Sequence, residues 1–260
     1  RCSAGYSMTP LLLTLLVAAC TFGGALLGLW LRRVLPPHHI NDESRDIVRI
    51  SIGLVVTMTA LILGLVVSSA KSTFDAEDLA VKQNATDLLA LDEALDLYGS
   101  ETAYIRRSVR QSLTDRIARV WPEVGASAPP EDHVRVDSSP EQIFAQILAL
   151  KPATDPQRWL QSQALQLGSE LQQNRWLMTE RQGSTAGRPF IIALTSWLVL
   201  IFVSFGLFAP RHATGIGTLL TCSLSVAAAI FLILEMEHPY QGLIKVSPEP
   251  LLFALSQLGK

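Results

Sequence analysis

The sequence predicts an all-α integral membrane protein, with four transmembrane helices and a helical extramembrane domain inserted between the second and third. Three observations predict it. Four stretches of membrane-crossing length contain no Asp, Glu, Lys, Arg or His, while the 21 basic and 23 acidic residues crowd into the rest of the chain. Each stretch meets the requirement of roughly 20 apolar residues for crossing about 30 Å of hydrocarbon as a helix. The segment between the second and third stretches carries apolar residues at helical spacing throughout.

The first span is Thr9–Leu31, closed by Trp30, Arg32 and Arg33 at the water boundary. Val17-Ala18-Ala19-Cys20 resembles a lipidation signal, but the apolar run continues through Phe22, Leu26, Leu27 and Leu29 to full membrane length, which argues for a span. Gly24 and Gly28 form a GxxxG pair, continued by Ala19 and Gly23. Such positions let helix backbones approach closely, within one chain or between copies. The second span is Ile50–Ala70. Ser72-Thr73-Phe74-Asp75 after it fits a capping box, although the helix can equally run on. The third and fourth spans, Pro189–Ala209 and Ala213–Leu234, are joined by the tight turn Pro210-Arg211-His212, which makes them an antiparallel hairpin. Ala227, Ala228 and Ala229 are small positions in the fourth. The hydroxyls Thr57, Thr59, Ser68, Ser69, Thr221, Ser223 and Ser225 are expected to bond back to their own helices.

These spans divide the chain into 1–70 (spans one and two), 71–188 (the helical domain), 189–234 (the hairpin) and 235–260 (a tail). In the domain, Phe74, Val81, Leu88 and Leu95 recur every seven residues, with Ala85, Leu91 and Tyr98 as a second row, a coiled-coil-like seam that Gly99 stops. A second helix from Ser100 carries Ile105, Val109, Leu113 and Ile117 at intervals of four, and ends at Trp121-Pro122. Its Arg106, Arg107, Arg110, Arg116 and Arg119 read as a solvated basic face. Glu123–Ser138 reads as a loop. Ser139-Pro140 and Asp155-Pro156 read as caps of two further helices, the last with the seam Leu160, Ala164, Leu167 and Leu171, ending near Gly183.

A net charge of −2 provides no footprint for nucleic acid. No catalytic motif, phosphate-binding loop or metal-ligand spacing occurs; neither His38-His39 nor His133 makes a site. No catalytic residue, cofactor or metal is therefore expected. The expected partners are the lipid bilayer and a second membrane subunit, either another copy or a different protein.

Ala60-Leu-Ile-Leu-Gly-Leu-Val-Val-Ser-Ser-Ala-Lys-Ser-Thr-Phe-Asp75 is similar to the signature of a bacterial bestrophin-like family. Leu91-Asp92, Leu97-Tyr98-Gly99-Ser-Glu101, Trp121-Pro122, Phe205–Pro210, Phe231–Tyr240, Gly242 and Pro250-Leu251 continue the likeness over nearly the whole chain. The resemblance implies a multi-pass protein of the bacterial inner membrane with a cytoplasmic central domain. Charge counting leans the same way, with five basic residues near span ends on the short-loop face against seven on the other. Bestrophins proper are oligomeric anion channels whose neck is a row of bulky apolar residues four apart on span two. The resemblance puts Thr57, Leu61 and Leu65 at those positions, Thr57 departing from the apolar pattern. Conduction of small anions by a homo-oligomer is the function it implies. The alternative is a membrane-anchored helical scaffold or interaction subunit of a larger complex, with no ion pathway.

One cluster stands apart from the neck. Glu235 and Glu237 lie where the fourth apolar run stops, and Pro239 breaks the helix after them. Two acids two residues apart point to different helix faces, so one of them is expected to pair with a basic group at similar depth, Lys71 or Arg188.

Overall fold

A computed structural model describes residues 8–34, 42–125, 139–182, 187–209, 212–240 and 242–259, with side chains described outside 8–10, 42–47, 125 and 174–191. Among the described residues every regular element is helical, and none is a strand. In chain order the helices are α1 (Met8–Val34), α2 (Asp42–Tyr98), a 3-10 turn (Ser100–Thr102), α3 (Ala103–Val120), α4 (Pro122–Gly125), α5 (Pro140–Leu148), α6 (Asp155–Gln182), α7 (Gly187–Phe208), α8 (Ala213–Met236) and α9 (Glu249–Gln257). Among the described residues, three helical segments are long and apolar enough to cross a membrane: Leu11–Val34, Val48–Tyr98 and Ala213–Met236. Ile192–Phe208 is a shorter apolar one. The chain divides into two compact units, one of residues 1–74 with 184–245, the other of 75–183 with 246–260.

The 57-residue α2 contributes to both units. It passes through Ser72–Asp75 without a break, so the expected capping box is not used as one. That segment has good helix formers before and after it, and Thr73 returns its hydroxyl to Ser69 O at 3.1 Å instead of capping.

In the first unit, Val17, Leu194, Leu198, Ile230 and Leu234 form a core from α1, α7 and α8, and Ile62 and Leu63 of α2 pack onto it. The glycines decide how closely α1 and α7 approach. A Cβ at Gly28 would stand 2.0 Å from Val203 O, one at Gly24 3.1 Å from Val199 O, and one at Gly206 2.0 Å from Ala25 O. The GxxxG pair is thus used within the chain, against a glycine on α7. Arg32 Nη1 donates to Ala209 O at 2.7 Å, satisfying a carbonyl past the end of α7. Of the intramembrane hydroxyls expected to bond back to their own helices, Thr57, Thr59, Thr221 and Ser225 do so, to Gly53 O, Val55 O, Gly217 O and Thr221 O. Ser68 and Ser69 show no such bond, and Ser223 reaches another helix. Thr21 and Ser223 bond each other at 2.8 Å, and Ser223 also donates to Ala18 O, linking α1 to α8. The turn residues Pro210 and Arg211 lie outside the described residues.

In the second unit α2 and α3 fold back on each other. Gly99 at φ +133 and ψ 179 makes the reversal in a region that is essentially glycine-only, and Thr102 Oγ1 donates to Gly99 O at 2.7 Å. The predicted seams are largely buried: Val81, Ala85, Leu91, Leu95 and Tyr98 on α2, with Phe74 and Leu88 of the same rows only half-buried, then Ile105, Val109, Leu113 and Ile117 on α3. The expected loop Glu123–Ser138 begins as the helical turn α4; residues 126–138 lie outside the described part. Ser139 caps α5, accepting the Gln142 N–H at 3.3 Å. The cap of α6 is Thr154 rather than Asp155: its hydroxyl accepts the Gln157 N–H at 3.4 Å, while Gln157 Oε1 accepts from Ala153 N–H. Gln157 also donates to Tyr98 O at 3.1 Å, so one side chain fixes the start of α6 against the end of α2. Leu160 and Ala164 of the expected α6 seam are buried.

The arginine face is not simply solvated. Arg106 forks onto Asp92 through Nε–Oδ1 at 2.8 Å and Nη2–Oδ2 at 2.9 Å, and also reaches Asp96. Charge-assisted bonding to Asp92 raises the Arg106 pKa further above its ordinary value. Arg110 donates to Leu258 O at 3.0 Å, Gly259 N–H to Asp92 Oδ2 at 3.2 Å, and Trp121 Nε1 to Val246 O at 3.0 Å. These bonds, with the buried Val246, Leu251, Ala254 and Leu258, dock the C-terminal segment onto α2 and α3. The hydrophobic period of α3 could not show this, because it is silent on where arginine heads go.

Candidate functional site

The residues at the expected neck share one face of α2, four apart and so nearly in line along the helix. Leu61 is 70% exposed and Leu65 71%, and Thr57 is exposed. Ile50 and Leu54 extend the same bare stripe. The opposite face carries Thr59 and Ala70, both buried, with Ile62 and Leu63 against the helix core. Within one chain, α2 therefore packs by one stripe and presents the neck candidates on the other. Gly64 beside Leu65 has nothing within 4 Å of a built Cβ, so close packing in the chain does not require it.

Thr57 departs from the apolar pattern less than its name suggests. Its hydroxyl proton is engaged by Gly53 O at 2.8 Å, within the same helix. The hydroxyl donor is therefore not directed away from the helix, and in this bonding state the row Thr57, Leu61 and Leu65 offers no strong donor to an ion.

At the end of α8, Glu235 is buried at 3% exposure. Its Oε2 accepts the backbone N–H groups of Leu243 and Ile244. Gly242, at φ +98, brings the chain close enough for this; a Cβ there would lie 2.3 Å from Oε2. Burying a carboxylate is tolerable when it is hydrogen-bonded, and here the donors are main-chain amides. Glu237, whose side chain remains exposed, lies at the C-terminal cap of α8; partial desolvation raises its carboxyl above its ordinary value, opposed by neighbouring His238. His238 Nδ1 lies 3.1 Å from Leu234 O, the carbonyl that its own N–H would meet in a continued helix; that N–H bonds Glu235 O at 3.2 Å instead. Lys71 is exposed, and the side chain of Arg188 lies outside the described residues. The signal for the Glu235 turn was Gly242, eight residues from the acid to its following amide, which sequence reading used only for resemblance. Among the described residues no group of three or more His, Cys, Asp or Glu could hold a metal, and Cys20 and Cys222 are free and exposed.

A family model described as the Bestrophin-like domain matches residues 19–251. No curated protein and no solved structure matches the chain.

Proposed function

The chain belongs to the bestrophin-like family, and we propose that it is a four-span, homo-oligomeric membrane protein in which copies of α2 line a path for small anions. The carrying observation is the two-faced α2. Thr59 and Ala70 are buried and Ile62 and Leu63 partly buried against its own unit, while Thr57, Leu61 and Leu65 stand bare on the other side of a helix that is otherwise largely exposed. A ring of such faces around an axis makes a narrow, apolar, charge-free constriction, which gates by wetting and dewetting. The spans carry no ionisable residue of the kind proton relays need. The cytoplasmic placement of the helical unit and the bacterial inner membrane belong to the same proposal.

The test is flux through vesicles holding the purified full chain, with Leu61→Ala and Leu65→Ala beside the parent. Anion-selective flux that rises in both variants, from a particle of several identical copies, is the expected outcome. A monomer that supports no flux in any form would refute the proposal.

A second reading has its own observation. The water-exposed helical unit leaves Leu79, Leu97, Leu148 and Trp159 more than 60% exposed, and large exposed apolar side chains are characteristic of surfaces that meet a partner. Under that reading the spans anchor a helical scaffold subunit and conduct nothing.

A further inference from the structure

A buried carboxyl group lies in the helical unit, away from the neck. Asp87 on α2 is 5% exposed. Its described hydrogen bond is a single one, from Gln83 Nε2 to Oδ1 at 2.8 Å, one turn back on the same helix. It sits seven residues before Ala94, on the face that packs with Leu160 of α6. The charged group bearing on it from α6, among the described residues, is Glu170, itself a carboxylate. Gln166 Nε2 donates to Glu170 Oε1 at 3.0 Å, which orders that acid on its own helix. The cations of α3 nearest in register are committed elsewhere, Arg106 to Asp92 and Asp96 and Arg110 to Leu258 O.

A buried carboxylate with one neutral donor and a second carboxylate facing it is poorly compensated as an anion. We infer that Asp87 is a proton-operated switch on the α2–α6 contact, loosening the two helices when ionised and letting them close when protonated. The inference goes beyond conduction and holds equally for a channel or a scaffold. Burial, then Glu170, raise the Asp87 pKa above 3.8, and the Gln83 bond opposes them. The sign follows from linkage. The folded chain binds this proton more tightly than the unfolded chain, so stability grows as pH falls from above the raised pKa toward the ordinary carboxylate value.

The experiment is thermal melting of the full chain in detergent, from mildly alkaline to mildly acidic buffer, for the parent, Asp87→Asn and Glu170→Gln. Asparagine keeps the shape and removes the charge. Asp87→Asn is expected to raise the melting temperature above the parent's at neutral and alkaline pH by about 2–4 °C, and to remove much of the gain on acidification. Glu170→Gln should shift the parent's acid-side rise to lower pH, because one cause of the raised affinity for the proton is gone. If Asp87→Asn does not fold, the Glu170→Gln shift alone carries the decision. An Asp87→Asn melt that is no higher than the parent's at neutral pH overturns the switch. A Glu170→Gln profile superimposable on the parent's does the same.

Discussion

Replacing Gly28 by alanine adds one carbon at the closest point between α1 and α7. That carbon would sit 2.0 Å from Val203 O and 2.9 Å from both Leu207 N and Val203 C, all backbone atoms that cannot rotate away. To bring it to ordinary van der Waals distance the helices must part by about 1.4 Å, more than the 0.5–1 Å gap that already forfeits a quarter to a half of a contact's attraction. The loss is not confined to one residue, because Phe202 and Ala25 lie in the same contact and Arg32 must still reach Ala209 O. Overpacking a tight core costs about 1–3 kcal/mol, and a clash with main chain on both sides belongs at the top of that range. The melting temperature in detergent should therefore fall by roughly 6–12 °C. The same helix supplies graded controls. Gly24→Ala meets Val199 O at 3.1 Å and should cost less, while Gly23→Ala meets nothing within 4 Å and should be silent. Gly206→Ala, 2.0 Å from Ala25 O, should match Gly28→Ala from the other side. If Gly28→Ala melts with Gly23→Ala, the close approach of α1 and α7 is not what holds this unit together.

Two further outcomes follow from contacts that local spacing did not reveal. Asp92→Ala removes the bidentate partner of a largely buried Arg106, and should cost about 3 kcal/mol in thermal or denaturant unfolding; Asp96→Ala, at an exposed partner, should cost under about 1 kcal/mol. Gly242→Ala forces a side chain to φ +98 and against Glu235 Oε2, and should speed amide exchange at Leu243 and Ile244; equal exchange in the variant and parent would refute the clamp.

How legible this was depended on which physics the pattern carries. Hydropathy and period found the helices, because apolar length and a seven-residue repeat are direct consequences of a membrane and of helix packing. The row Ile105–Ile117 is buried as its spacing required, and of the seven-residue row Val81 and Leu95 are buried while Phe74 and Leu88 are half-buried. Caps were legible to within a residue, since Ser139 caps as read but Thr154 displaces Asp155. Long-range polar contacts were not. The Arg106–Asp92 fork joins residues 14 apart, Arg110 reaches residue 258, and Thr21 meets Ser223 across two helices. Nothing in local spacing distinguishes an arginine that reaches water from one that reaches a carbonyl. Gly206 was equally silent, since a lone glycine in a span reveals its purpose only when its partner helix is beside it.

The neck candidates illustrate the same division within a single helix. In the apolar half of α2, an exposed leucine at 61 or 65 has no preference between lipid and a neighbouring copy on hydrophobic grounds, because lipid tails are as apolar as leucine. Whatever gathers copies there must be packing and geometry, and the shape of that face is set by Thr57, whose hydroxyl is folded back onto Gly53 O. In the half beyond the membrane the balance is different. Leu79 and Leu97 are 66% and 67% exposed on the same helix, and burying each against a partner would contribute on the order of 1–2 kcal/mol, given what full burial of a leucine is worth. If copies assemble as proposed, the driving force therefore lies mainly in the helical unit, and the membrane half of α2 follows with it. Leu79→Gln with Leu97→Gln should accordingly shift the full chain toward smaller particles in detergent more than Leu61→Ala with Leu65→Ala does. Particle mass by light scattering decides the order, and the reverse ranking would place the assembly force inside the bilayer.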